Sequence, residues 1–174
     1  MDTSGAPPAH LASLLRHFTD LRDGTHGHPP ARPVRDRPGK ELLFLRAVPL
    51  VDPHARRVLD EMNTHLLHGT GQVHATGVRR TPERGLDARW ELSWPAQKAA
   101  GLAPVLLHAF YGAGFHHPHL QGGTVGQWPL NVVTERDAAA ELPTLRAVAA
   151  ADLHNLVFQG GHRIVPADAG ADPA

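Results

Sequence analysis

Three histidines within four residues form the densest group of potential metal ligands in the chain. They are His116, His117 and His119, with Pro118 before the last of them and glycines on both sides of the segment. A proline fixes its own φ and disfavours the helical region for the preceding residue, so this segment should run extended. Because side chains alternate along an extended chain, we expect His117 and His119 on one side, roughly 7 Å apart at their Cα atoms, and His116 on the other.

Imidazole is the commonest protein ligand of zinc, copper and iron. The chain contains no cysteine, which excludes thiolate zinc sites, iron–sulfur clusters and a cysteine nucleophile. A metal here must therefore have nitrogen and oxygen ligands. The competing interpretation is a solvated histidine-rich loop, because the chain has 14 histidines and lacks the ligand spacing of a zinc finger or of a His-Glu-x-x-His helix.

A metal held by His117 and His119 needs at least a third ligand. The candidates are His74, His108 and Glu91 on predicted strands, and His154 and His162 in the C-terminal segment. Two histidines with a glutamate would resemble the ligand set of oxygen-activating iron enzymes, whereas three histidines suit zinc or copper. Haem is the alternative cofactor, with one axial histidine and an apolar pocket that Phe115 and Trp128 would line.

Acid–base chemistry is assigned to Tyr111, His116 and Glu91, and a cofactor-free lyase or isomerase would depend on the tyrosine and a histidine. The chain has only three serines, and none lies in the Gly-x-Ser-x-Gly turn of a serine hydrolase. The glycine-rich stretch 122–126 is followed by neither a lysine nor the start of a helix. Phosphate-loop and dinucleotide-binding proteins are therefore excluded.

Charge and hydropathy limit the classes of partner. Seventeen basic and seventeen acidic residues give a formal charge of zero, which argues against nucleic acid and anionic membranes. No apolar run approaches the ~20 residues that span a bilayer, and no signal peptide is visible, so we expect a cytoplasmic protein. A small-molecule substrate and a second copy of the chain, as a homodimer, are the partners left open.

The N-terminal third is predicted to be helical with one long irregular connection. Apolar spacing predicts an amphipathic helix over 9–21, with His17 on its surface. The segment 22–39 is too rich in proline and glycine for regular structure, and we expect it to be mobile. Because a mobile connection cannot hold ligands in place, no function is assigned to its histidines, His26 and His28.

Two further helices are predicted before the strands begin. Residues 40–51 form a buried helix that ends at Pro49 or Pro53, and a second helix runs from there to His68, where Gly69 ends it.

Alternating segments predict the sheet. Residues 71–80 and 86–94 form a hairpin, 105–111 a third strand leading into the histidine cluster, and 126–133 a fourth. Thr134 caps a following helix. Another helix follows Pro143, in preference to a hairpin that turns at two glycines, 160 and 161.

This order of elements predicts an α+β fold with an antiparallel, curved sheet of about four strands and helices packed on one face. A cone-like or barrel-like closure is the alternative that would itself form a pocket. We expect one domain over 9–166, with disordered tails at 1–8 and 167–174.

The function predicted from these patterns is a small-molecule enzyme, a lyase or an oxidoreductase, with a bound transition metal (zinc, iron or copper) at the His116–His119 loop. The alternatives are a haem enzyme, a cofactor-free lyase or isomerase, and a non-enzymatic ligand-binding accessory protein.

Overall fold

The computed structural model describes residues 6–29, 31–160 and 162–166. The elements in chain order are α1 (Ala9–Asp23), α2 (Arg37–Leu66), β1 (Gln72–Ala75), β2 (Arg79–Arg80), β3 (Leu86–Ser93), α3 (Pro95–Ala99), β4 (Val105–Tyr111), β5 (His119–Gln121), β6 (Trp128–Pro129), α4 (Glu135–Ala140), α5 (Leu142–Gly160) and a 3₁₀ helix (His162–Ile164). Of the predicted tails, 1–5 and 167–174 lie outside the described residues, and the single domain over 9–166 stays a prediction.

The sheet is antiparallel and open, in the order β1-β3-β4-β5-β6, with β2 pairing on β3 beside β1. The α+β prediction is confirmed, whereas closure into a barrel is wrong. The described residues form six strands where about four were expected, because the hairpin arm 71–80 divides into β1 and β2 and the segment that starts at His119 forms β5. Within the described part of the chain, no helix combines the length and the apolar character needed to cross a membrane.

One face of β3 and β4 forms the core. Its side chains are almost completely buried: Leu86, Ala88, Trp90 and Leu92 from β3, and Val105, Leu107, Ala109 and Tyr111 from β4. Helices α2 and α5 cover this face. Full burial of a large apolar side chain contributes about 1.5–3 kcal/mol, and a slip of one residue would turn all of these side chains outward. The alternation therefore determines the register.

Helix α2 is one helix of 30 residues with Pro49 and Pro53 inside it, so the prediction of two helices is wrong. A proline in a helix interior costs about 3 kcal/mol. The buried face nevertheless continues across both prolines, with Phe44, Ala47, Val48, Val51, Ala55, Val58 and Leu59 all packed into the core. Burial of this continuous face offsets the local cost.

The C-terminal helices form as predicted. The Thr134 side chain accepts a hydrogen bond from the Asp137 backbone N–H and caps α4. Residues 142–160 are helical, so the hairpin alternative is wrong. Asp152 on α5 is fully buried and accepts hydrogen bonds from the backbone N–H groups of Leu106 (2.8 Å) and Thr124 (2.6 Å). These bonds join α5 to β4 and to the loop after β5.

Helix α1 forms where it was predicted, but its apolar face points away from the core. Leu11, Leu15, Phe18 and Leu21 are 44–57% exposed, and the only buried residue of the helix is Ser13. The Asn131 side chain donates hydrogen bonds to the Ser13 carbonyl (2.9 Å) and hydroxyl (3.1 Å). Polar groups on the inner face of α1 therefore contribute to its attachment, and the same face carries part of the candidate site.

Candidate metal centre

Three side chains from separate parts of the chain converge beside the sheet. Asp20 lies near the end of α1, His26 in the connection to α2, and His117 just before β5. His26 Nδ1 lies 3.0 Å from His117 Nε2. Asp20 Oδ2 lies 3.2 Å from His117 Nε2 and 3.8 Å from His26 Nδ1. Such a group of potential ligand atoms could hold a metal ion.

These separations match the size of a metal ion with nitrogen and oxygen ligands. Three points 3.0, 3.2 and 3.8 Å apart lie on a circle of about 2.0 Å radius, which is the length of a zinc–nitrogen or zinc–oxygen bond. An ion near the centre of this circle would contact all three atoms without a change in the backbone.

The backbone of the next residue orients the His117 ring. Its Nδ1–H donates a hydrogen bond to the Pro118 carbonyl at 2.8 Å, so in the neutral ring the lone pair is on Nε2. That lone pair faces the Asp20 carboxylate at 3.2 Å. Two acceptors this close require a proton or a cation between them. In a metal-ligating histidine, the ring nitrogen that does not bind the metal usually donates a hydrogen bond to a group such as a backbone carbonyl.

Asp20 is held in its charged form. Burial alone would raise its pKa, but hydrogen bonds with His117, His26 and Thr25 keep the pKa well below the usual range of a carboxyl group. The Thr25 hydroxyl donates to the second carboxylate oxygen at 2.8 Å. One oxygen of Asp20 is therefore fixed by the protein, and the other faces the two imidazoles.

His26 is suited to be a neutral ligand. Burial lowers its pKa, the Asp20 carboxylate opposes this effect, and His117 adds to it. The His26 side chain is 2% exposed and that of His117 is 1% exposed, against 12% for Asp20. The imidazoles are therefore the inner ligands, and the carboxylate is the ligand closest to solvent.

Lys40 on α2 holds both histidine-bearing loops. Its buried ammonium donates hydrogen bonds to the carbonyls of Gly24 and His116, each at 2.9 Å. Gly27 packs so closely on α2 that a Cβ atom there would lie 2.9 Å from Leu43, and its φ of +94° also favours glycine. The loop containing His26 is therefore held by close packing as well as by hydrogen bonds.

Two more imidazoles, those of His17 and His119, lie beside the cluster. The ring centre of His17 lies 4.5 Å from that of His117, and the ring centre of His119 lies 6.0 Å from it. Burial, followed by neighbouring histidines, lowers the pKa of both, to about 4 for His119. Nδ1 of each is buried without a hydrogen-bond partner among the described residues. Both rings are therefore neutral bases close to the candidate metal.

A cavity of about 350 Å³ reaches the cluster from outside, with Asp20 in its wall. Its other polar lining includes Arg16, Thr19, Thr25 and Arg35. A small molecule in this cavity would approach the metal position from the carboxylate side.

The structure separates the predicted ligands. His117 lies in the cluster, His119 lies beside it, and His116 is exposed. The chain bends at His116 and His117 and becomes a strand only from His119, so the prediction of one extended segment holds for its end alone. Four other candidates lie elsewhere: His74 faces Glu91 across β1 and β3, His108 contacts Asp87 on the sheet at 3.3 Å, and His154 is exposed on α5. The side chain of His162 lies outside the described part of the chain. Their roles as ligands stay predictions that the geometry of this cluster does not favour.

The other assigned residues also lie outside the cluster. Tyr111 is in the core face of β4, with the Arg37 guanidinium 3.7 Å above its ring, and burial raises its pKa. Phe115 contacts Phe110 and His119 edge-on. Trp128 lines a different, apolar cavity of about 360 Å³, so the haem pocket with these two aromatic residues stays a prediction.

Asp20 and His26 were not predicted as ligands from the sequence. His26 was set aside because its segment was expected to be mobile, but it pairs with Val34 through two backbone hydrogen bonds of 2.9 Å. Its His-x-His spacing, the same as in the His117–His119 pair, was a usable signal. For α1 the signal was a polar stripe of Ser13, His17 and Asp20 opposite the apolar face.

Comparison of the chain with models of known protein families, with curated proteins and with solved structures gives no match. The geometry of the site is therefore the basis for assigning a function.

Proposed function

We propose that this protein is a metal-dependent enzyme acting on a small molecule, with Asp20, His26 and His117 as the metal ligands. The observation that carries the proposal is the convergence of three ligand atoms at separations of 3.0–3.8 Å around one ion-sized position. The lowered pKa of His26 supports it, because burial favours the neutral imidazole that binds metal.

Zinc fits the spacing best. Tetrahedral zinc with bonds of 2.0–2.1 Å separates its ligand atoms by about 3.4 Å, and an octahedral ion with equal bonds separates them by about 3.0 Å. The three observed separations average about 3.3 Å, close to the tetrahedral value. Three protein ligands leave a position for water, whose pKa zinc lowers to about 7. His17, whose ring centre lies 4.5 Å from that of His117, would be the nearest further base to receive its proton. This chemistry suits a lyase that adds or removes water.

Iron(II) is the second candidate, and the ligand types favour it. Two histidines and one carboxylate with open positions are the ligand set of non-haem iron oxygenases. With iron(II), the same three residues would hold the ion and leave positions open for oxygen and substrate, and the protein would be an oxidoreductase. Metal content after purification and oxygen uptake by the iron-loaded protein separate the two candidates.

The decisive test is metal binding by matched pairs of variants. Wild-type protein that has been stripped with a chelator should bind one equivalent of zinc or iron(II). His117→Ala and His26→Ala should lose this binding, whereas His116→Ala and His28→Ala should keep it. Binding that survives both ligand substitutions would refute the site. Failure of the wild type to bind either metal would favour a cofactor-free enzyme or an accessory protein.

The exposed face of α1 favours a homodimer. Leu11, Leu15, Phe18 and Leu21 recur at spacings of three and four residues and are each 44–57% exposed. They form one apolar patch on the surface of the helix, which is typical of a protein–protein contact. We infer that a second copy of the chain covers this face. Because one patch would meet its own copy across a two-fold axis, a single set of residues serves both subunits.

A further inference from the structure

A second cavity of about 460 Å³ lies between α1, the loop at His28, α4 and the start of α5. Three alanines in its wall, Ala9, Ala12 and Ala140, leave the space open. Its polar lining consists of Arg16, His28, Thr134, Arg136, Asp137, Glu141 and Thr144. It shares Arg16 and His28 with the cavity that reaches Asp20, but none of the three candidate metal ligands lines it.

Arg16 lacks a partner for part of its guanidinium group. Its Nη1 donates to His28 Nε2 at 3.2 Å and lies 3.6 Å from Asp137 Oδ1. Its Nε is buried and has no hydrogen-bond partner among the described residues. A guanidinium presents donors in a fixed fork that matches the two oxygens of a carboxylate. The Arg16 guanidinium therefore has donors available for a carboxylate.

Asp137 does not pair with the free donors of the Arg16 guanidinium. Its Oδ2 accepts hydrogen bonds from the backbone N–H of Val133 (3.2 Å), the backbone N–H of Thr134 (3.0 Å) and the Thr134 hydroxyl (2.9 Å). These bonds hold its carboxylate at the start of α4. Only Oδ1 faces Arg16, and 3.6 Å is beyond hydrogen-bond distance.

Glu141 adds a second unusual group to the same wall. It is 5% exposed and forms no ion pair with any described residue. Burial raises its pKa to about 7, with the Thr144 hydroxyl and Arg16 opposing the shift and Asp137 adding to it. The protonated form can donate a hydrogen bond to an anion. With Glu141 neutral, the two positive charges of Arg16 and Arg136 exceed the single negative charge of Asp137.

We propose that this cavity binds a small organic acid, whose carboxylate is held by the Arg16 fork and accepts a hydrogen bond from Glu141. The alanine side chains and Pro29 would contact the carbon skeleton of the acid. This proposal goes beyond the metal-dependent function, because nothing in the cavity requires a metal.

The test uses succinate and benzoate as probes, with succinamide and inorganic phosphate as controls, on metal-free and zinc-loaded protein at pH 6. Calorimetry and the unfolding temperature report binding. At least one of the two carboxylates should bind the wild type and raise its unfolding temperature, and succinamide should not. Arg16→Gln should weaken this binding at least about tenfold. Arg35→Gln is the matched control, because Arg35 lines the cavity at Asp20 but not this one, and it should bind as the wild type does.

Two further variants separate binding from folding. Arg16→Lys keeps the charge but loses the fork, so its carboxylate affinity should fall between those of the wild type and Arg16→Gln even if the glutamine variant is destabilised. Glu141→Gln keeps a donor at every pH. Wild-type affinity should therefore fall between pH 6 and pH 8, and that of Glu141→Gln should change much less. The other charged or titratable groups that line the cavity with Glu141 are Arg16, Arg136, Asp137 and His28, and both proteins contain them.

The proposal is overturned if neither carboxylate binds the wild type at about 10 mM, or if Arg16→Gln binds as tightly as the wild type. The metal-free samples keep this result separate from the metal proposal. Carboxylate binding by a protein that binds neither zinc nor iron(II) would refute only the metal centre, and the reverse result would refute only this cavity.

Discussion

Replacement of Asp20 by asparagine is the sharpest perturbation of the candidate metal centre. The side chain keeps its size and one oxygen acceptor but loses its charge. The remaining oxygen can still accept the hydrogen bond that Thr25 donates at 2.8 Å, so the end of α1 should keep its conformation. The change therefore removes an anionic ligand with little disturbance of the fold.

The expected loss of metal affinity follows from the position of the carboxylate. Changes to residues that only orient a ligand cost 10–100-fold in affinity, and Asp20 Oδ2 is itself within 3.2 Å of the His117 ligand atom. The loss for Asp20→Asn should therefore be at least about 100-fold, or about 2.7 kcal/mol. A side chain with only 12% exposure leaves limited room for solvent to screen this effect.

The same variant should change the stability of the metal-free protein in a pH-dependent way. Because hydrogen bonds keep the folded-state pKa of Asp20 below its usual value, the charged carboxylate stabilises the fold above the unfolded pKa of about 4. This contribution is lost as the pH falls through the lowered folded pKa. Asp20→Asn should therefore be less stable than the wild type at pH 7, with a difference that shrinks in acid.

Asp23→Asn is the matched control. Asp23 ends the same helix, lines the same cavity and pairs with Arg22 at 2.7 Å outside the cluster. Zinc affinity at pH 7.5 is measured by competition with a chromophoric chelator. Zinc at about 100 times the dissociation constant should stabilise the wild type by about 2.7 kcal/mol, which raises the unfolding temperature by roughly 5–10 °C. An affinity of Asp20→Asn within about threefold of both the wild type and Asp23→Asn would refute the assignment.

Three further outcomes are expected. Lys40→Met should weaken zinc binding about 10–100-fold, because the carbonyls of Gly24 and His116 lose the ammonium that holds both loops; unchanged chelator competition would contradict this. In the wild type, the free energy of unfolding should fall by up to about 3 kcal/mol as the pH rises from 4.5 through 7, because the folded-state pKa of Glu141 is raised to about 7. This fall should be absent in Glu141→Gln. Urea titrations of both proteins across this range are the check. Phe18→Glu should convert a dimer into a monomer in light scattering, and an unchanged mass would argue against the α1 interface.

The strands and the class of ligand could be predicted from the sequence alone. Residues 86–94 and 105–111 each have one apolar face, so alternation is sufficient to place both in a half-buried sheet, and β3 and β4 form there. The absence of cysteine leaves only nitrogen and oxygen ligands. His117 was also identified from the sequence as a candidate ligand, because it lies in the densest group of histidines in the chain.

Only the tertiary structure decided that α2 continues through Pro49 and Pro53. The cost of a proline is local and visible in the sequence, whereas the gain comes from burying one continuous face against the sheet. The same reason applies to α1, whose apolar side chains predicted a helix but not the direction of its face. In the fold, the polar Ser13 is the buried residue of α1 and Phe18 is exposed.

The ligand set also depended on tertiary structure. His26 and Asp20 are 91 and 97 residues from His117 in the chain, and spacing over that distance carries no information about which loops meet. The connection that carries His26 was expected to be mobile because of its prolines and glycines. Instead, Lys40 on α2 and the close packing of Gly27 hold it in place. The sequence by itself determined which residue types could bind a metal, and the packing of α2 and the connection against the sheet decided which of them meet.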